Sequence, residues 1–314
     1  MTVQRAAHEP RSTLPEPPEE GRGARRRGPG IPRTIWAMVV PAFLLFFVFH
    51  TIPVLTGIFY SLTDYAGYGE WSFVGLDNYL NLFRDERVFG AYRFTFLFAL
   101  VSTILVNVIA LAIAVGLNAR IKLKTTFRAI FFMPHVLAIL IVGYVFNYIF
   151  ANSLPYIAEQ LGITALSTSI LANEDLAWVG VVILAVWQAA AFNIILYLAG
   201  LQTIPTEVYE AADLDGASPG QQFFRITFPL IGAFFTINMV LSLKNFLQVF
   251  DHIIALTNGG PGTATESISL LIYRGGLQGG EYAYQTANAV VYLVVIVVLS
   301  LLQFRFLQRR EASF

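Results

Sequence analysis

Long apolar runs separated by short polar connections dominate this chain. A helix needs roughly 20 mostly apolar residues to cross a bilayer. Six segments meet that length: residues 35–62, 94–117, 129–150, 177–201, 230–254 and 284–306. The first is interrupted by Pro41 and Pro53, which predicts a kink or an early end. Residues 1–33 carry Pro, Glu, Arg and Gly with no apolar run, and read as a disordered tail. The apolar segment that follows is too long for a signal-peptide core and ends in no small-residue cleavage site, so it reads as a retained first helix. Residues 34–310 then form one membrane domain, and 311–314 a short C-terminal tail.

Composition agrees. Hydrophobic residues make up 56% of the 314 and charged residues 13%, with 27 Phe. A soluble domain carries about 25% charged residues, so lipid is the natural solvent and the fold class is an all-α membrane protein. Basic residues set the orientation. With the N-terminus inside, the inner segments hold Arg5, Arg11, Arg22, Arg25, Arg26, Arg27 and Arg33, then Arg120, Lys122, Lys124 and Arg128, then Arg225, then Arg305, Arg309 and Arg310. The outer segments hold only Arg84, Arg87, Arg93 and Arg274. Both termini are therefore expected in the cytoplasm. No outer connection is long enough for a separate domain.

Several chemistries are excluded. Net charge is zero, which removes the case for a nucleic-acid binder. There is no Cys, hence no disulfide and no thiolate metal site. The His at 8, 50, 135 and 252 have no metal-ligand spacing, and no catalytic cluster is evident. No Gly-rich phosphate cradle precedes a Lys, so the chain binds no nucleotide by that motif. The spans hold no acid except Asp251, whereas ion-coupled carriers keep acids at mid-membrane. A polar, mostly uncharged core suits a neutral solute driven by energy supplied elsewhere.

The connection 204–229 has the densest local signals. Pro205 and Thr206 start a helix, with Thr206 as N-cap and Glu207 near its positive end. Val208, Ala211 and Ala212 share an apolar face, and Gly216 stops the helix. Ser218, Pro219 and Gln221 start a second helix with an N-cap, a first-turn Pro and a capping-box partner. The plain reading is a well-capped connector. A connector, however, needs neither a small Ala-Ala face nor the acids Glu207, Glu210, Asp213 and Asp215, which offer charge pairs to a basic partner.

Glu210-Ala211-Ala212, three residues, Gly216, nine residues, then Ile226-Thr227-Phe228-Pro229 resembles the EAA signature of ABC importer permeases. The usual Leu before the final Pro is Phe228 here. Leu256-Thr257-Asn258-Gly259-Gly260-Pro261, with Thr263 and Thr265 after it, resembles the outer loop of maltose-type "F" permease subunits, although Gly-Gly-Pro alone is also a plain tight turn. Ala217-Ser218 resembles the same subunits. The resemblance runs from about residue 35 to the C-terminus and implies the six-span type I ABC importer permease fold. It also implies that the first short helix is a coupling helix docking on an ATPase subunit. Glu207, Glu210, Ala211, Ala212, Asp213 and Gly216 would form that contact, with Glu210 as the docking carboxylate.

The resemblance further implies a mid-membrane substrate path. Placed by distance from Glu210, it falls on Gln188 and Phe192 in the fourth span and on Ser242, Asn245, Phe246 and Val249 in the fifth. Asn238 extends it and Gln248 borders it. Gln188 and Phe192 are four apart, and Ser242, Asn245 and Val249 fall on one helical face. Amides and hydroxyls would bond sugar hydroxyls, and aromatic rings would pack on the sugar's apolar face. The competing reading is that such polar residues bond a neighbouring helix. Lys244 is off this face.

The implied assembly is a heterodimer with a second permease, two ATPase subunits that bind ATP and Mg, and an extracytoplasmic sugar-binding protein. This chain itself would hold no cofactor and no metal. Its location would be the bacterial cell membrane. The alternatives are the same architecture carrying glycerol phosphate, an amino acid or a polyamine, a secondary transporter, or a membrane scaffold or receptor.

Overall fold

The computed structural model describes residues 33–119 and 122–311. The tails expected at 1–33 and 311–314 lie outside the described residues, apart from Arg33 and Glu311, which are helical. Among the described residues the chain is helical without β-strands, and one isolated antiparallel bridge joins Thr63 and Phe73.

Two compact units are present, Met1–Pro53 and Val54–Phe314. The first holds α1 (Arg33–Phe46), which contains Pro41, followed by a π-helical turn over Phe47–Thr51. Helix α2 (Ile52–Tyr60) follows. The early end that the two prolines allowed does not occur: the helix widens into that turn just before Pro53 and continues to Tyr60.

Within the second unit, α3 (Asp77–Leu82) leads to the long α4 (Glu86–Asn118). Helix α4 starts eight residues before the apolar run because Asp85 caps it, its carboxylate accepting from the N–H groups of Arg87 and Val88. In the connection before it, the Ser72 hydroxyl and backbone N–H hold the Asp64 carboxyl below its usual pKa.

The third expected span, 129–150, is broken. Helix α5 (Lys124–Val136) ends, Leu137 and Ala138 are extended, and α6 (Ile139–Tyr148) begins afresh. A π turn over Ile149–Ser153 then leads into α7 (Leu154–Gln160), and Ile139–Gln160 has the length and apolarity of a span.

Helix α8 (Ala177–Leu201) keeps the expected bounds and is the central post, buried along most of its length and packed on α4 and α5. Next come α9 (Thr206–Leu214) and α10 (Pro219–Gln222), a π turn over Phe223–Thr227, and α11 (Phe228–Leu230). Helix α12 (Gly232–Leu247) departs at 70° from the segment Pro219–Leu230. Pro229 removes a ladder donor and Ile231 leaves helical geometry, which accounts for the bend.

The fifth expected span, 230–254, therefore starts late and stops early, at Leu247. Helices α13 (Asp251–Leu256), α14 (Ile268–Tyr273) and α15 (Tyr282–Glu311) complete the chain. Among the described residues, five helices can cross a membrane by length and composition, or six if the bent pair counts as one span. Helices α6 and α13 touch closely: a Cβ on Gly143 would clash with the Ala255 Cβ.

Candidate functional site

The 204–229 connection folds largely as its caps dictate. Helix α9 ends at Leu214 with Asp215 in the C-cap position, and Gly216 follows with φ +72°. The Gly216 N–H bonds the Asp213 carbonyl at 3.1 Å and the Ala217 N–H bonds the Ala212 carbonyl at 2.9 Å, which satisfies the helix end by a Schellman motif. Ser218 and Gln221 form the expected capping box. Two side-chain contacts lock the helices together: Gln222 Nε2 donates to Asp213 Oδ1 at 2.6 Å, and the Tyr209 and Thr227 hydroxyls are 2.9 Å apart.

Two details differ from expectation. Pro205, not Thr206, occupies the cap position, and Thr206 is the first helical residue without a side-chain cap bond. The apolar face is also split. Ala212 is buried and Val208 half-buried, while Ala211 points outward with Glu207, Glu210 and Leu214. Leu214 is 90% exposed, so this outward strip carries a large apolar residue as well as two acids. Asp213 and Gly216 are exposed beside it.

A second site lies where α5 breaks and α12 ends. A cavity of about 490 Å³ is lined by His135, Leu137, Ala138, Ile139, Ala185, Gln188, Ala189, Asn245, Phe246, Gln248, Val249, Phe250, Asp251 and His252. It gathers Gln188, Asn245, Phe246, Gln248 and Val249 from the expected path. A larger groove of about 610 Å³ between α4 and α12 has apolar walls except for Asn107. That amide is already engaged, donating to the Thr103 carbonyl and accepting from the Tyr197 hydroxyl. The smaller cavity therefore has the chemistry of a polar-solute site.

Each expected path residue has a definite place. Gln188 Nε2 donates to the carbonyls of Leu137 at 3.0 Å and Pro134 at 3.4 Å, and Gln188 Oε1 accepts from His252 Nε2 at 3.0 Å. Phe192 is not in the cavity lining and stacks on His135 with ring centroids 5.7 Å apart. Ser242 is buried and accepts from Asn193 Nδ2 at 2.9 Å, which is the helix-to-helix bond of the competing reading. Asn238 is fully buried, its amide atoms without partners among the described residues, and it does not line the cavity. Val249 lies beyond the end of α12, so the face expected for Ser242, Asn245 and Val249 is not a continuous helical one. Val249 reaches the cavity because the chain turns there, its carbonyl held by the Ser267 hydroxyl at 2.9 Å.

Sequence reasoning passed over His135 and His252. They are far apart in sequence, yet both line the cavity, and no metal-holding cluster forms among the described residues. It also passed over Glu266, a buried carboxylate bonded twice by Arg87 at 2.8 Å, with Arg274 at 3.7 Å. An acid and a base in separate polar connections were the only signal for that clamp.

These features match known proteins. The multiple sugar-binding transport system permease protein MsmF of Streptococcus mutans is 37% identical, over 88% of this chain and 96% of that protein. The probable starch degradation products transport system permease protein AmyD of Thermoanaerobacterium thermosulfurigenes is 33% identical, over 88% of this chain and 95% of that protein. A crystal structure of a bacterial alginate ABC transporter, in complex with an alginate pentasaccharide-bound periplasmic protein, superposes with TM-score 0.78 at 25% identity, covering 89% of this chain and 95% of that one. The family described as "Binding-protein-dependent transport system inner membrane component" matches residues 109–312. With its apolar spans and a doubly capped loop, the chain belongs to that family, the multi-pass membrane permeases of ABC importers, and is not an enzyme.

Proposed function

We propose that this chain is the permease subunit of an ATP-driven carbohydrate importer. It forms the translocation path with a second, related permease. Two ATPase subunits drive it from the cytoplasm, and an extracytoplasmic binding protein delivers the sugar. Both termini and the loop 204–229 are cytoplasmic. The observation that carries this reading is the α9–α10 unit: a rigid, doubly capped helix pair that turns Glu207, Glu210, Ala211 and Leu214 outward. The sugar and starch-product cargo named for the two relatives supports a carbohydrate.

In this reading α9 is the coupling helix, with Glu210 as its docking carboxylate and Ala212, Asp213 and Gly216 shaping it. ATP, with Mg, sits on the partner subunits and supplies the energy there. Closure of the ATPase pair moves α9, and the rigid α9–α10 unit passes that movement to α12 through the bend at Ile231. The permease then shifts from inward-facing to outward-facing, a two-state element biased by nucleotide at one end and the loaded binding protein at the other. The sugar passes by Gln188, Asn245, Phe246, Gln248 and Val249. Phe192, Asn238 and Ser242 act one layer behind, by shaping the helices that carry them.

The test is reconstitution of the full importer in proteoliposomes. Sugar-loaded binding protein should raise ATP hydrolysis and drive uptake only with ATP on the ATPase side. Uptake by this chain alone on an ion gradient would replace this reading with a secondary transporter.

A further inference from the structure

The cavity wall contains one charged group, and it is acidic. Asp251, the first residue of α13, lines the cavity with an exposed side chain, and its carboxylate makes no hydrogen bond or ion pair among the described residues. No Lys or Arg lines that cavity. Lys244, the nearby cation, is exposed on α12 outside the lining. Gln188 and His252 are bonded to each other, so Asp251, Asn245, Gln248 and His135, whose ring stacks on Phe192, are the polar side chains that make no side-chain hydrogen bond.

We infer that Asp251 is a substrate-contacting residue and that it restricts the path to uncharged glycans. This rests on the sugar-importer reading and adds the charge class of the sugar. A carboxylate can accept two hydroxyls of one sugar ring, and such charge-assisted bonds are roughly twice as strong as neutral ones. An anionic glycan would bring a uronate or phosphate into direct contact with a like charge, well inside the screening length of physiological salt, so the pair would repel. With no cation in the wall contributed by this chain, nothing here offsets that repulsion.

The experiment uses the complete purified importer without its binding protein, so that the cavity alone selects. Saturation-transfer NMR measures the affinity of maltotriose and of its terminally oxidised, glucuronate-bearing analogue. The native assembly should bind maltotriose and discriminate against the analogue by about tenfold or more. Asp251→Asn should weaken maltotriose binding several-fold and remove most of that discrimination. Asp251→Ser is read the same way, and because the native carboxylate holds no other group, neither variant orphans a partner. Equal native binding of the two glycans, or unchanged discrimination in both variants, overturns the assignment. Native binding of neither glycan overturns the sugar reading, and this assignment with it.

Discussion

The Gln188 side-chain amide donates to the Leu137 carbonyl at 3.0 Å, from a position 51 residues away in sequence. It therefore acts as a C-terminal cap for α5, a helix whose end lies inside a membrane domain. Helix-end carbonyls need a donor, and in lipid water supplies none. The same side chain reaches His252 through its oxygen. One residue thus joins α8, the α5–α6 break and α13.

Replacing Gln188 with Leu should destabilise the protein. Two carbonyls lose their donor and His252 loses its acceptor, for a cost of about 1–3 kcal/mol. Gln188→Glu should be similarly harmful, since it keeps the acceptor and loses the donor. Thermal unfolding of the detergent-purified importer reads both. Reduced uptake at unchanged thermal stability would show that Gln188 serves the sugar alone and caps nothing.

Gly143 is expected to tolerate no side chain while Ala255 stays in place. A methyl there would overlap the Ala255 Cβ, so α6 and α13 would have to separate. Overpacking of this kind costs about 1–3 kcal/mol. The double variant Gly143→Ala with Ala255→Gly moves the methyl across the contact and should recover most of the loss. A double-mutant cycle on unfolding free energies measures this, and purely additive effects would refute the contact.

The Glu266 clamp predicts an asymmetry. The Glu266 side chain is 2% exposed and that of Arg87 is 52% exposed. Arg87→Ala leaves a buried carboxylate with only Arg274 at 3.7 Å, whereas Glu266→Gln leaves an arginine that water can reach. Arg87→Ala should cost about 2–4 kcal/mol and Glu266→Gln clearly less. Arg87→Lys should fall between, because it keeps the charge but not the two-pronged geometry. Equal losses for Arg87→Ala and Glu266→Gln would mean that burial of the carboxylate does not set the balance.

Hydropathy alone was enough for α8, whose expected bounds 177–201 are those observed, and caps alone were enough for the α9–α10 turn at Gly216 and Ser218. Both are local signals. The break at Leu137 and Ala138 was hidden because these residues favour helix, and the extended geometry is held by Gln188 from another element. The early end of α12 was hidden for the same reason. The Leu247 carbonyl accepts from the Tyr292 hydroxyl and the Val249 carbonyl from Ser267, both distant in sequence. Helical spacing therefore grouped Ser242 with Val249, although only Val249 reaches the cavity. His135, Asp251 and His252 join the site only because the two broken helices meet there.

The outward strip of α9 gives the sharpest functional prediction. Glu210 is exposed and makes no hydrogen bond or ion pair among the described residues, so Glu210→Lys should leave folding and membrane insertion intact. It reverses the charge offered to the ATPase, and sugar-stimulated hydrolysis should fall by about tenfold or more. Leu214, 90% exposed, is apolar surface that only a partner can bury. Leu214→Ser should weaken ATPase binding by about 1–2 kcal/mol, or roughly five- to thirtyfold in affinity, with thermal stability unchanged. Co-purification of the ATPase subunits and stimulated hydrolysis, measured together, separate the two effects. Leu214→Ser should act on assembly and Glu210→Lys on both assembly and coupling. Normal sugar-stimulated hydrolysis in both variants would remove α9 from the coupling role.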